Sequence, residues 1–205
     1  MNKYLTITLF FFIPFFLLAQ DQGNASEQKF GEQIFLPSIE IGYIENSAEN
    51  LTGGILVKTS IEYRVRNNND IFFRINYDTY SSDYVLNTEN TLTDVIEGTA
   101  AFSDLLFGAG YRFGENKFRY FIMIQPGWTY YNFPELVINN TTINIEQGKK
   151  SIFSTRVTLG FEYYLTEKSA VSIDLLQSQV WEEKDFWEDS GSAFGFSVGF
   201  ITSLF

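Results

Sequence analysis

From residue 36 onward the chain alternates, apolar residue then small, polar or charged residue, with a period of two and not 3.6. In a β-strand successive side chains point to opposite faces, so this pattern predicts strands with two chemically distinct sides. Residues 55–65 show it most clearly: Ile55, Val57, Thr59, Ile61, Tyr63 and Val65 share one face, and Leu56, Lys58, Ser60, Glu62 and Arg64 the other. The same reading places strands at 71–80, 102–113, 118–130 and 153–163, with less regular ones at 38–44 and 171–179 and a last at 193–205, eight in all. At 205 residues this is one domain or at most two, and no window after residue 20 is long and apolar enough for a membrane helix.

The connections between these strands sort by length. Short turns are predicted at 67–69, 114–117 and 165–169, and longer polar links at 45–54, 81–97, 132–150 and 181–191. An up-and-down meander with every tight turn at one end and every long loop at the other is the layout of a bacterial outer-membrane barrel. An even strand count puts both termini at the short-turn, periplasmic end. A soluble sandwich has no reason to sort its loops in this way. Eight strands enclose a lumen just wide enough for side chains, which suits small and charged residues better than a large aromatic set. The aromatic face is therefore expected to meet lipid, with Tyr63, Tyr111, Phe113, Phe118, Tyr120 and Tyr163 forming a girdle near the short turns.

The N-terminus reads as a targeting segment. Lys3 precedes an apolar run, Leu5 to Leu18, of about 14 residues, short of the roughly 20 that a spanning helix needs. Residues 1–20 are thus expected to be a cleaved signal peptide, 21–33 a flexible tail and 34–205 the barrel. The chain has no Cys and no His. It therefore has no disulfide or lipidated cysteine, and no mechanism that needs an imidazole base or ligand. A formal charge of −11 argues against a nucleic-acid partner.

The alternating strands, the sorted loops, the run Phe102-Ser103-Asp104-Leu105-Leu106-Phe107-Gly108-Ala109-Gly110-Tyr111-Arg112-Phe113 and the final Phe205 together resemble the eight-stranded OmpA/OmpX-type outer-membrane barrels of Gram-negative bacteria. The likeness extends over the whole chain after the signal and lies in pattern, with no catalytic motif. It implies an all-β, antiparallel, up-and-down transmembrane barrel in the outer membrane, with no cofactor and no metal. It also implies that the last strand, here with Gly199, Phe200, Leu204 and Phe205, carries the signal read by the barrel-assembly machinery. One departure stands out: Phe194, Phe196, Val198 and Phe200 share a face, whereas Phe205 falls in the opposite register. Either a bulge near Gly199 switches the register, or Leu204 takes the outward place. A second departure is that no peptidoglycan-binding segment follows residue 205.

With the aromatic face outward, the inward charges are Glu40, Glu62, Asp78, Asp104, Glu162 and Asp174 against Lys58, Arg64, Arg74, Arg112, Arg119 and Arg156. Six acids meeting six bases suit a closed, internally paired lumen. A three-residue turn at 67–69 would set Glu62 opposite Arg74 and Lys58 opposite Asp78, opposite charges both times. The excess acid then lies in the loops, above all in Trp181-Glu182-Glu183-Lys184-Asp185-Phe186-Trp187-Glu188-Asp189. Of these, Trp181, Glu182, Glu183, Asp185, Trp187, Glu188 and Asp189 are the candidates for holding a cation, cation-bridged lipopolysaccharide or a protein partner. The functional expectation is a non-enzymatic barrel, structural or surface-binding, in contact with outer-membrane lipid and lipopolysaccharide. The alternatives are an accessory subunit of an envelope secretion or assembly complex and, further off, a small pore or a soluble ligand-binding barrel.

Overall fold

The computed structural model describes residues 34–37, 39–48, 50–65, 68–87, 95–115, 117–139, 142–181 and 191–203. The expected signal peptide and tail lie outside the described residues. Nine strands follow one another: β1 Ile34–Pro37, β2 Glu40–Asn46, β3 Gly54–Val65, β4 Asn68–Asn87, β5 Val95–Phe113, β6 Phe118–Asn139, β7 Thr142–Thr166, β8 Ser169–Val180 and β9 Ser192–Ser203. Every pairing is antiparallel, and each strand from β3 onward pairs with the next. β1 and β2 both pair with β3 on one side and with β9 on the other, which closes the ring. Closure leaves no open sheet edge, so every wall has two hydrogen-bonding neighbours.

The nine strands build eight walls, because β1 and β2 occupy the same one. Between them the ladder gains one residue. β2 sets Glu40 against Lys58, whereas β1 sets Ile34 against Tyr63; across β9, Ile41 faces Val198 and Phe35 faces Ser203. The inserted residue switches the inward parity from Phe35, buried, to Glu40, also buried, while Ile39 between them is exposed. The register step lies here, in the first wall. β9 runs unbroken against β8 from Ser192 to Thr202, and Ile201 is still buried. This excludes the bulge near Gly199; Leu204 and Phe205 lie outside the described residues.

The turns and loops sort to opposite ends as expected. At the short end, Gly114 adopts a φ of 114°, a conformation open to glycine, and Phe118 N–H donates to Glu115 O at 3.2 Å to close the β5–β6 turn. The long links need correction. Residues 81–97 and 132–150 are mostly hairpin: the β4–β5 ladder continues to Asn87 opposite Val95, and β6–β7 to Asn139 opposite Thr142. In β4 the outward residues turn polar at Ser81 and Asp83, which removes the apolar–polar contrast that marks a strand in the sequence. Ser81 and Asp83 are exposed, yet Ser82 and Tyr84 stay buried, so the period of two persists where the outer face turns polar. A tilted transmembrane strand needs about 9–11 residues, so β4, at 20 residues, and β7, at 25, rise past any membrane slab.

The polarity of the two faces is inverted relative to a water-soluble barrel. Ile41, Ile61, Phe73, Ile75, Phe107, Ile124, Val157, Leu159, Ile173, Leu175 and Phe196 are exposed on the outside. Six carboxylates and five bases are buried on the inside. Aromatic rings crowd the short-turn rim: Phe118 lies 5.1 Å from Tyr163, and Phe113 stacks on Tyr120 at 5.8 Å. Nearer the long-loop end Trp128 meets Phe153 edge-on at 6.3 Å. Girdles of this kind are where amphipathic rings settle at a membrane–water boundary.

Candidate functional site

Alternation aims the even-numbered residues of β3, β4, β5, β7 and β8 and the odd-numbered ones of β6 and β9 into the lumen, which fills in tiers. Nearest the short turns is a guanidinium–carboxylate cluster. Glu62 Oε1 accepts from Arg64 Nε at 2.7 Å and from Arg112 Nη2 at 2.8 Å, and Glu62 Oε2 from Arg74 Nη2 at 2.6 Å. Arg112 also clasps Glu162 through Nε and Nη2 at 2.9 and 2.8 Å. Tyr164 links the chain of bonds, accepting from Arg64 Nη1 at 2.8 Å and donating to Glu162 Oε2 at 2.8 Å.

Aromatic rings share this tier, although the lumen was expected to suit small and charged side chains better. Phe72 and Phe121 are buried and meet edge-to-face at 5.4 Å. The Arg112 guanidinium sits 4.6 Å above Phe72, that of Arg74 4.9 Å above Phe121, and that of Arg64 3.4 Å above Phe35. The space comes from missing side chains on neighbouring walls. A Cβ on Gly110 would lie 2.3 Å from the Phe72 ring, and one on Gly160 2.0 Å from that of Phe121.

Above it, Lys58 Nζ donates to Glu40 at 2.7 Å, to Asp174 at 2.8 Å and to Ser197 Oγ at 3.0 Å. Arg74 Nη1 stands 3.5 Å from Asp174, joining this group to the lower one. Gln125 Nε2 donates to Asn76 Oδ1 at 2.9 Å. Higher still, Arg156 binds Asp78, Asp104 at 2.6 Å and Ser178 Oγ at 2.8 Å. An apolar cap closes the long-loop end. Ile44, Leu56, Tyr80, Phe102, Tyr131, Ile152 and Leu176 form one buried cluster, with Tyr80 stacked on Phe102 at 4.8 Å.

The β3–β4 ladder does set Glu62 opposite Arg74 and Lys58 opposite Asp78, but not through the expected three-residue turn at 67–69: β4 already begins at Asn68, which pairs with Val65 across a register shift at Arg64/Val65. Only the first of these facing pairs becomes an ion pair; Lys58 and Asp78 each reach across the lumen to other walls. Arg119, counted with the lumen set, sits at the short-turn rim, about a third exposed, donating to the Gly114 carbonyl and 3.9 Å from Asp70. Its strand position is inward, but the wall ends there. In the acidic segment only Trp181 is described: exposed, its Nε1 donates to Thr155 Oγ1 at 2.9 Å. Glu182, Glu183, Asp185, Trp187, Glu188 and Asp189 lie outside the described residues. In β9, Gly199 faces inward against Glu40 and Phe200 is exposed outside.

Tyr164, Phe72, Phe121 and the apolar cap are lumen residues that the charge pattern passed over. Parity alone locates them, since Phe72 and Tyr80 are in step with Arg74 and Asp78, and Tyr164 with Glu162. Among the described residues no group of three or more carboxylates could hold a metal ion.

No family model matches the chain, and no curated protein matches it. Solved structures do. Neisserial surface protein A is 14% identical with a TM-score of 0.56, covering 84% of this chain and 97% of its own. The outer membrane protein OprG from Pseudomonas aeruginosa is 8% identical with a TM-score of 0.51, covering 82% and 93%. At such identities the likeness is one of architecture: this chain has the fold of the small outer-membrane β-barrels.

Proposed function

We propose that the chain is an integral, non-enzymatic outer-membrane barrel whose lumen is closed to ions and whose contacts are made by its outer wall and its long-loop end. The observation that carries this reading is the inverted polarity: apolar side chains exposed outside, carboxylates and bases paired inside. Water would penalise that outer face and a bilayer would stabilise it, while buried charge is tolerated where it is paired and hydrogen-bonded. Outer-membrane lipid and lipopolysaccharide would be the immediate partners, with the barrel-assembly machinery acting during biogenesis. The acidic, Trp-bearing segment at 181–189 would supply the surface-binding element. The test is ion flux through planar bilayers holding the refolded full chain. Closure predicts no steady single-channel conductance, in keeping with a strand number far below the about 16 of water-filled porins. A reproducible ohmic pore would overturn it.

A further inference from the structure

We infer that the short-turn mouth of the barrel is a blind anion-binding pocket that takes a phosphate group. A cavity of about 470 Å³ opens there, lined by Arg64, Arg112, Lys117 and Arg119 against Asp70 and Glu167. Its lining thus carries more positive charge than negative, in a chain whose overall charge is −11. At the rim Asp70 stands 3.9 Å from Arg119 and Glu167 joins the lining; deeper in, Arg64 is paired with Glu62 and Arg112 with Glu62 and Glu162, so the cations with donors left for a ligand are Lys117 and, through one nitrogen, Arg64.

The decisive group is Arg64. Its side chain is only 6% exposed, and its Nε and Nη1 are used on Glu62 and Tyr164, but its Nη2 is buried with no hydrogen-bond partner. A guanidinium has five N–H donors in a fixed fork, so a buried, unpartnered Nη2 on a residue that lines the cavity is an unmet demand for an oxyanion. Phe35 under the guanidinium plane and Tyr164 at Nη1 hold the fork in place before any ligand arrives. Phosphate is favoured over a single carboxylate because the bases are spread over three walls and a turn, and a tetrahedral oxyanion presents oxygens in several directions. Behind the pocket the Arg112–Glu162 and Arg74–Glu62 pairs and the Phe72–Phe121 contact fill the lumen, so an anion can enter and bind without passing through.

The phosphate could be a free ion or a phospholipid headgroup at the membrane surface, and the experiment separates these sources. Placing the pocket on the periplasmic side rests on the membrane reading above; binding in micelles does not, so the two can fail independently. Inorganic phosphate is titrated by calorimetry into the refolded full chain in a zwitterionic detergent. In parallel, the chain is reconstituted in phosphatidylcholine vesicles containing phosphatidylglycerol, and the lipid retained with it is quantified. Saturable phosphate binding, weakened about tenfold by Arg64→Gln and several-fold by the exposed Lys117→Gln but unchanged by Lys149→Gln at the opposite end, supports a free oxyanion site. No free-phosphate binding, but phosphatidylglycerol enrichment lost in Lys117→Gln, supports a headgroup site. Binding of neither, or binding indifferent to both substitutions, overturns the inference. Lys117→Gln carries the test if Arg64→Gln does not fold.

Discussion

Glu62 is the residue on which most of the lower lumen depends, because three guanidiniums from three walls converge on its two oxygens. Replacing it with Gln leaves those cations buried and under-paired, which costs about 3–5 kcal/mol. Urea unfolding of the vesicle-inserted chain should show that loss for Glu62→Gln and about 0–1 kcal/mol for Arg119→Gln, whose ion pair is exposed at the rim. Equal losses would contradict the placement of both. Only part of this was legible beforehand. The facing of Glu62 and Arg74 follows from parity and from opposite charges preferring to meet on neighbouring strands, even though the turn itself differs, with Asn68 already paired to Val65. The Lys58–Asp174 and Arg156–Asp78 contacts cannot, because they join walls far apart in the ring and depend on how the whole barrel closes. Phe72 and Phe121 escaped for a related reason: a volume argument for the lumen cannot see that Gly110 and Gly160 clear space on the next wall.

At the scale of elements, β4 contains its own height marker. Ile75, exposed on the outer face between Ile61 and Phe107, belongs to the apolar zone; Ser81, six residues nearer the long-loop end on the same face, opens a polar stretch with Asp83. Ile75→Arg should cost about 2–4 kcal/mol in bilayer unfolding, while Ser81→Arg stays within about 1 kcal/mol, since the penalty falls towards the interface. Similar penalties at both positions would contradict the zone. The strand cores were readable from alternation, because apolar and charged residues differ so strongly there. The upper half of β4 was not, since with Ser81 and Asp83 outward it carries no contrast of that kind. The interruption between β1 and β2 was equally hidden. Pro37 marks a strand end, but only the partners on β3 and β9 reveal that one extra residue flips the parity.

For the molecule as a whole, fold and chemistry point the same way: closure satisfies the backbone, an apolar wall faces outward and charges pair within. The most direct test of that arrangement uses the absence of cysteine, which makes any introduced thiol unique. Single cysteines at Ser154, Val157, Thr158 and Leu159 of β7 sample both faces of one wall: Val157 and Leu159 are exposed outside, Ser154 and Thr158 buried inside. Each variant, inserted in vesicles, is exposed to a bilayer-dissolved maleimide and to a charged, water-soluble one. Reaction of the Val157 and Leu159 thiols with the bilayer reagent alone, and of the Ser154 and Thr158 thiols with neither, is the predicted result. Rapid labelling of the Val157 and Leu159 thiols by the water-soluble reagent would contradict the inside-out barrel and mean that this wall stands in water.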